Sequence, residues 1–364
     1  MKILIVGSGQ SFHATRWANS LAERGMEICF FSVNTIERPL SSKVKVYTEN
    51  SRLGRISYFL YSVKLRKVIN SFRPDIVHAH YSSGNGILAS LALLGTNTKF
   101  ITSLYGAEVY DFPKKSRLHY LILKLVTDRA DRVLSTSNAM AREFLNDYPM
   151  SEKVTVTPFG VDTAIFKPMQ RLEADSAVFR IGIVKKLEDK YGVDVLIRAV
   201  AKLKKELQTD KSLELVIVGG GSKKNELEKL VRDLKLGDCV RFVGWVDNKK
   251  IPQLLNSFDV FAVPSRHESE SFGVAAVEAQ SCCIPIIVSD VGGLPEVVIE
   301  NVTGYVVLPD SVDALHRKLK YIFENPTIAS ELGLNGRRHV LKTYDWNECL
   351  DLMTSIYLDV KRQS

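Results

Sequence analysis

Apolar residues fall along this chain in short runs, each ended by glycine, proline or a polar turn and most followed by helical spacing. Lys2–Val6 (KILIV) is the first such run, and Gly7-Ser8-Gly9 ends it. A helix is expected over roughly Phe12–Glu23, capped by Gly25, and a second strand over Glu27–Ser32. Further strands are expected at 75–80 (DIVHAH), 99–104, 131–135 and 154–157, with a helix at 137–145. A polar stretch at 166–176 reads as a linker. The pattern then restarts with strands at 179–184, 213–218, 240–243 and 258–263. Twice-repeated alternation of strand and helix predicts two Rossmann-like parallel-sheet domains, 1–168 and 169–343. A helical pattern follows in 344–364.

Length and composition agree with this division. At 364 residues the chain exceeds one typical core, and 45% hydrophobic with 25% charged residues is ordinary for a globular protein. The run at residues 3–6 is too short for a signal peptide and reads as a strand. No apolar run reaches the roughly 18 residues of a membrane span. Five cysteines, with no metal-ligand spacing, lead to the expectation of a reduced, cytoplasmic protein.

Charge is unevenly placed. Residues 1–165 hold 21 Lys+Arg against 13 Asp+Glu, whereas the remainder is balanced, so the whole net charge of +8 lies in the first half. Between Arg52 and Arg73 stand Arg55, Lys64, Arg66 and Lys67 with no acid among them, interleaved with Tyr58, Phe59, Leu60, Tyr61, Val63 and Leu65. That is a basic amphipathic helix, able to lie on an anionic membrane or to pack with a basic outer face. A second basic-apolar stretch covers 113–124. No nucleic-acid partner is expected.

The densest chemistry lies between Val263 and Val298. It reads as strand, polar loop 265–271, a helix Val274–Ser281 opened by Phe272-Gly273, a further strand to Ser289, and a Gly292-Gly293 turn. Glu270 stands just before the helix, and Glu278 two turns into it among Val274, Ala275, Ala276, Val277 and Ala279. An acid in so apolar a stretch needs a hydrogen-bonding partner, and a ligand hydroxyl would serve. The helix start offers backbone N–H groups and a positive dipole end suited to phosphate. The spacing allows one acid near a sugar, amides near a diphosphate and a second acid near a ribose.

This stretch resembles the signature of the family-4 retaining glycosyltransferases: Glu, seven residues, Glu, with Phe-Gly two residues after the first acid. GGLPEVV at 292–298, NVTGYVV at 301–307, DIVHAH, the Tyr105-Gly106-Ala107-Glu108 turn and FGVD at 159–162 also fit. The resemblance implies the GT-B fold, two Rossmann-like doubly wound α/β domains facing a cleft, with a C-terminal helix crossing back to the first domain. It implies an N-terminal acceptor domain and a C-terminal nucleotide-sugar domain. Glu270 would contact the donor sugar and Glu278 the ribose. Phe272 and Gly273 would supply amides, and His80 would face the sugar. Gly9 would let the first loop approach the diphosphate, the base would lie near Gly244 and Trp245, and Tyr105 and Glu108 would line the acceptor side.

The family's G-R-L-x-x-x-K-G stretch aligns with residues 185–192. Lys186 takes the Arg place and Tyr191 the Lys place, with Lys190 one position earlier. Either Lys190 reaches in on a shifted loop, or Tyr191 packs and Lys186 acts nearly alone. No D-x-D tripeptide occurs, so no metal and no other cofactor is expected, and fixed bases would hold the diphosphate. The implied activity moves a hexose or N-acetylhexosamine from a nucleotide sugar, expected to be UDP-linked, to a glycan. The acceptor is expected to be lipid-linked, in envelope polysaccharide or lipopolysaccharide synthesis at the inner membrane face. Two other readings are a GT-B nucleotide-sugar 2-epimerase and a catalytically silent nucleotide- or glycan-binding homologue.

Overall fold

The computed structural model describes residues 1–49, 57–170, 178–207 and 212–363. They form two compact units, Met1–Pro158 with Cys349–Ser364, and Phe159–Glu348.

Unit 1 carries seven parallel strands: β1 (Lys2–Val6), β2 (Glu27–Ser32), β3 (Val44–Thr48), β4 (Ile76–His80), β5 (Lys99–Ser103), β6 (Arg132–Ser135) and β7 (Val154–Val156). Their order is β3-β2-β1-β4-β5-β6-β7. β1 and β4, both buried, pair in register from Ile3↔Ile76 to Val6↔Ala79. Near-continuous apolar runs such as KILIV suit strands covered on both faces. Helices α1 (Phe12–Glu23), α2 (Ser57–Phe72), α3 (Ile87–Ala92), α4 (Ala107–Tyr110), α5 (Arg117–Arg129) and α6 (Asn138–Asp147) cover the sheet. α1 is N-capped by Ser11, whose hydroxyl accepts from the Ala14 N–H. One core joins Leu65, Ile69, Leu88, Leu123, Val126 and Phe144, from α2, α3, α5 and α6, to Val6, Val77 and Phe100 of the strands. These four helices therefore lie on one face of the sheet.

Unit 2 repeats the plan with β8 (Val178–Val184), β9 (Ser212–Val218), β10 (Val240–Gly244), β11 (Val260–Val263), β12 (Ile286–Ser289) and β13 (Gly304–Val307). The order is β10-β9-β8-β11-β12-β13. Its helices are α7 (Val193–Glu206), α8 (Lys224–Asp233), α9 (Ile251–Leu255), α10 (Val274–Ser281), α11 (Val312–Glu324) and α12 (Pro326–Thr343). In each sheet the strand order reverses at one place, between β1 and β4 and between β8 and β11. Doubly wound sheets bind ligands outside the carboxyl ends of the strands at such points.

The expected linker is bound to unit 2 where it is described. The Phe166 carbonyl accepts from Ser281 Oγ at 2.5 Å and Arg337 Nη1 at 3.1 Å, and the Lys167 carbonyl from Asn256 Nδ2 at 3.0 Å. Phe159 packs edge-on to Phe272 with centroids 5.9 Å apart, so residues 159–168 belong to unit 2 rather than unit 1. The rest of the linker, 171–176, lies outside the described residues. The last helix, α13 (Trp346–Arg362), brings the chain back into unit 1. There Tyr357 Oη lies 2.7 Å from His78 Nδ1, and Lys361 Nζ lies 3.0 Å from Asp75 Oδ1.

Candidate functional site

In unit 2 the loops after β8 and β11 meet at the switch point. The ladder carries past β8, with the Lys185 N–H donating to the Val218 carbonyl at 2.9 Å. This turns the Lys185 side chain toward the β11 loop. Its Nζ lies 2.8 Å from Glu270 Oε1 and 2.7 Å from Oε2. The pair is partly buried, 17% and 11% exposed. Ser265 Oγ adds a hydrogen bond to Glu270 Oε2 at 3.1 Å. Pattern matching places a cation at Lys186, but Lys186 is exposed and Lys185 is the residue that engages the acid. Two ammonium groups approach the Tyr191 ring, Lys185 Nζ 4.8 Å and Lys190 Nζ 5.1 Å from its centroid. Lys190 thus approaches the Tyr191 ring, while Lys186, the lone cation of the other alternative, stays exposed.

The acid loop is held by backbone. The Glu270 carbonyl accepts from the Gly293 N–H at 2.8 Å. A Cβ on Gly292, at φ +53°, would stand 2.3 Å from that carbonyl oxygen. Helix α10 opens at Gly273, φ +90°, with no side-chain cap. A Cβ there would meet Leu294 Cδ2 at 2.6 Å. Phe272 is buried against Phe159 and Tyr344, which anchors the helix start. Glu278 is half-buried on α10. At the end of β10, Gly244 takes φ +80° and Trp245 is 78% exposed, a flat apolar surface open to a ring.

In unit 1 the β1/β4 switch point gathers a different set. His78 and His80, expected on one face, stack with centroids 4.4 Å apart. His78 is saturated, Nδ1 by Tyr357 and Nε2 by Ser103 Oγ at 2.8 Å. His80 Nδ1 pairs with the Tyr105 hydroxyl, while its buried Nε2 has no partner among the described residues. Burial drives both imidazoles toward the neutral form, His78 to about 3 and His80 well below the usual value, the latter helped by His78 and His13. His13, whose ring lies 6.2 Å from that of Tyr105, is lowered to about 4 by burial and then by Arg16 and Arg38. Sequence reasoning missed this third histidine, because nothing local in FHATR marks it.

Glu108 is fully buried, and burial raises its carboxyl to about 7 against the opposing pull of nearby backbone N–H groups, its own, Tyr105's and Ser82's. Its Oε2 accepts from the Tyr105 N–H at 3.2 Å, and its Oε1 has no partner among the described residues. Glu108 thus braces the turn that carries Tyr105 rather than presenting a surface to an acceptor. Gly9 needs a similar correction. A Cβ there would stand 2.7 Å from the Thr35 carbonyl oxygen, and its N–H already donates to Ser32 Oγ at 3.0 Å. Glycine is required by packing inside unit 1, and that amide is not free for a phosphate.

The basic helix is α2, and Arg52 and Arg55 lie outside the described residues. Tyr61, Leu65, Val68, Ile69 and Phe72 face the core. Lys64 pairs with Glu49 at 2.5 Å, and Arg66 Nη1 donates to the Ala92 and Leu94 carbonyls at 2.8 Å. Phe59, Leu60 and Val63 remain exposed. Leu94 beyond α3, and Leu118, Leu121 and Leu125 of α5, are exposed too. Among the described residues no helix is long and apolar enough to cross a membrane. Nor does any group of three His, Cys, Asp or Glu there stand ready to hold a metal ion.

Known proteins place the chain. Residues 167–339 match the profile of "Glycosyl transferases group 1" and residues 2–137 that of "Glycosyl transferase 4-like". An MMP alpha-(1->4)-mannosyltransferase of Mycolicibacterium hassiacum is 31% identical over 395 residues, covering 96% of this chain and 94% of that one. An N-acetyl-alpha-D-glucosaminyl L-malate synthase of Bacillus anthracis is 26% identical over 372 residues, covering 97% and 94%. The structure is similar to that of a glycosyltransferase from Rickettsia africae, with a TM-score of 0.85, 24% identity, and 100% and 99% of the two chains covered. With its two parallel-sheet units and returning helix, the chain belongs to the glycosyl transferases group 1 family, of GT-B fold.

Proposed function

We propose that this glycosyltransferase moves a hexose or N-acetylhexosamine from a nucleotide sugar, UDP-linked, to a glycan acceptor with retention at the anomeric carbon. The observation that carries the reading is the Lys185–Glu270 pair at the β8/β11 switch point, beside the uncapped start of α10. A donor diphosphate draws the Lys185 ammonium, with Lys190 also beside Tyr191, and this leaves the Glu270 carboxylate to the sugar hydroxyls. Glu278 accepts from the ribose hydroxyls, and the exposed Trp245 offers its ring to the base. The bond from the anomeric carbon to the phosphate oxygen breaks with its electron pair on the phosphate. The acceptor oxygen takes its place and passes its proton to the departing phosphate oxygen. Fixed ammonium groups carry the charge, so no metal is required.

Relatives whose names specify mannosyl and N-acetylglucosaminyl transfer support the sugar class. Kinetics test the assignment. Glu278→Ala should mainly weaken nucleotide binding, and Glu270→Ala should mainly lower turnover. Wild-type rates and affinities in both would overturn it. Conversion of donor alone to a 2-epimer would favour the epimerase reading instead.

For the acceptor, the same reading favours a lipid-linked glycan in envelope polysaccharide synthesis, met at the inner membrane face. Here α2, α3 and α5 cover one face of the unit 1 sheet, and Phe59, Leu60, Val63, Leu94, Leu118 and Leu125 stand outward. Lys67, Lys115 and Arg117 are exposed among them. Bases near an anionic leaflet contribute about 1 kcal/mol each, and apolar insertion adds to it. Liposome sedimentation should show binding that needs anionic lipid and weakens with salt. Equal recovery in the supernatant with neutral and anionic vesicles at low salt would leave a soluble acceptor.

A further inference from the structure

Arg266 follows β11 directly after Pro264-Ser265, four residues before Glu270, and its side chain is only 17% exposed. Its guanidinium is almost fully engaged. Nη2 donates to Asp194 Oδ2 at 2.6 Å, Nη1 to the Asp189 carbonyl at 2.9 Å with Asp189 Oδ1 at 3.3 Å, and Nε to Asp310. Its backbone N–H donates to the Lys190 carbonyl at 2.9 Å. One residue thus joins the segments that follow three strands. Asp189 and Lys190 follow β8, Asp194 lies in the first turn of α7, and Asp310 follows β13.

Two further contacts show why this matters for the acid. Gly192, at φ +61°, lies so close to the Pro264 carbonyl that a Cβ would stand 2.0 Å from its oxygen. On its other side the loop is tied to the β12 turn, where Glu268 Oε2 accepts from the Gly292 N–H at 2.6 Å. Glu270 therefore sits in a short loop pinned on one side by Arg266 and on the other by Glu268. An exposed ion pair contributes little. A planar fork that meets three carboxylates and a carbonyl fixes geometry in a way that a point charge cannot.

We propose that Arg266 is the positioning residue of the donor site: it clamps the β11 loop to the β8 loop so that Glu270 and Lys185 stay in register. Resting on the reading of Glu270 as the sugar-contacting acid, the clamp acts on turnover through that pair and touches neither donor nor acceptor.

The test uses the full chain and needs no donor. Lysine acylation with an N-hydroxysuccinimide ester, read by peptide mass spectrometry, reports Lys185, Lys186 and Lys190 separately. In Arg266→Gln, labelling of Lys185 should rise roughly fivefold, since that side chain is 17% exposed in the closed loop, while Lys186 stays unchanged. Arg266→Lys should show the same rise, because it keeps the charge and loses the fork. Asp310→Asn, a milder change, serves if Arg266→Gln fails to fold. Binding of uridine to the variants should match wild type, since it carries no diphosphate for Lys185 to hold and Glu278 and Trp245 lie outside the clamp. Unchanged Lys185 labelling in a folded Arg266 variant overturns the clamp. Raised Lys185 labelling together with a fully active Glu270→Ala keeps the clamp and removes the sugar-contact reading.

Discussion

Lys185 and Glu270 face each other across the switch point of the six-stranded sheet, with Nζ 2.7 Å from Oε2 and both side chains largely shielded from water. Its neighbour Lys186 points to solvent. Within a single dipeptide, one ammonium thus engages the loop acid and the other faces water. Lys185→Met should lower kcat/KM by roughly 10²-fold, the scale of losing one preorganised charge at the reacting group. Lys186→Met should stay within about threefold of wild type. Steady-state kinetics on both variants decides. The reverse ranking would restore the assignment made by counting along the G-R-L-x-x-x-K-G pattern.

Activity should survive EDTA. No D-x-D pair is present, and Lys185 and Lys190 approach Tyr191 where a diphosphate needs charge. Turnover abolished by chelation and restored by magnesium or manganese would mean that a cation bridges the donor.

Two glycines should respond differently to alanine. Gly25 (φ +84°) has nothing within 4 Å of the point where a Cβ would stand, so Gly25→Ala should cost about 1 kcal/mol, the left-handed backbone term alone. Gly192→Ala adds a Cβ at 2.0 Å from the Pro264 carbonyl and should cost about 3 kcal/mol or more, because the β8 and β11 loops must part. Urea unfolding of the two variants measures the difference. Equal losses would mean that the loops separate freely.

Stability should fall steeply in mild acid. His78, lowered to about 3, His13, lowered to about 4, and His80, lowered well below its usual value, stay neutral in the folded chain. Each contributes stability that is lost as pH falls below about 6.5, where the unfolded chain takes up the proton first. Glu108, raised to about 7, works the other way, since the folded chain holds its proton while the unfolded chain has released it. Its contribution falls as pH rises from about 4.5 to 7. Three histidines against one acid leave a net loss of stability on acidification between pH 6 and 5. Glu108→Gln removes the opposing group, so its unfolding free energy should drop more steeply over that interval. A shallower slope than wild type would falsify the assignment.

Much of this was legible in the sequence. Strands such as Lys2–Val6 and the helix Val274–Ser281 are bounded by glycine, proline or a polar turn, and the structure ends them there. The two-acid stretch announced its strand–loop–helix because apolar runs and Phe272-Gly273 mark each boundary. Strand β3 was missed: in VKVYT only Val44 is buried, so an edge strand half in water leaves no apolar run to read. The pairing of Lys185 with Glu270 was missed for another reason. Which of two adjacent side chains turns inward is set by how far the ladder runs beyond β8, and Tyr191 breaks the residue count that a pattern relies on. Arg266 joins partners 44 to 77 positions away, which no local window contains. Gly9 looked like a ligand loop because a glycine made necessary by its own neighbours reads the same as one made necessary by a phosphate.

The fully buried Tyr357, hydrogen-bonded to His78 inside the first sheet, has a consequence for how the protein comes into being. Residues 1–158 leave the ribosome first but lack the helix that closes their core, and that helix is translated only after all of 159–348. At about 5–20 residues per second, some ten seconds or more pass before it arrives. The later-made half can therefore finish folding first, while the earlier half waits with the place for Tyr357 uncovered. A chaperone that binds exposed apolar surface should find its client in that interval, and it should release it when the last helix docks.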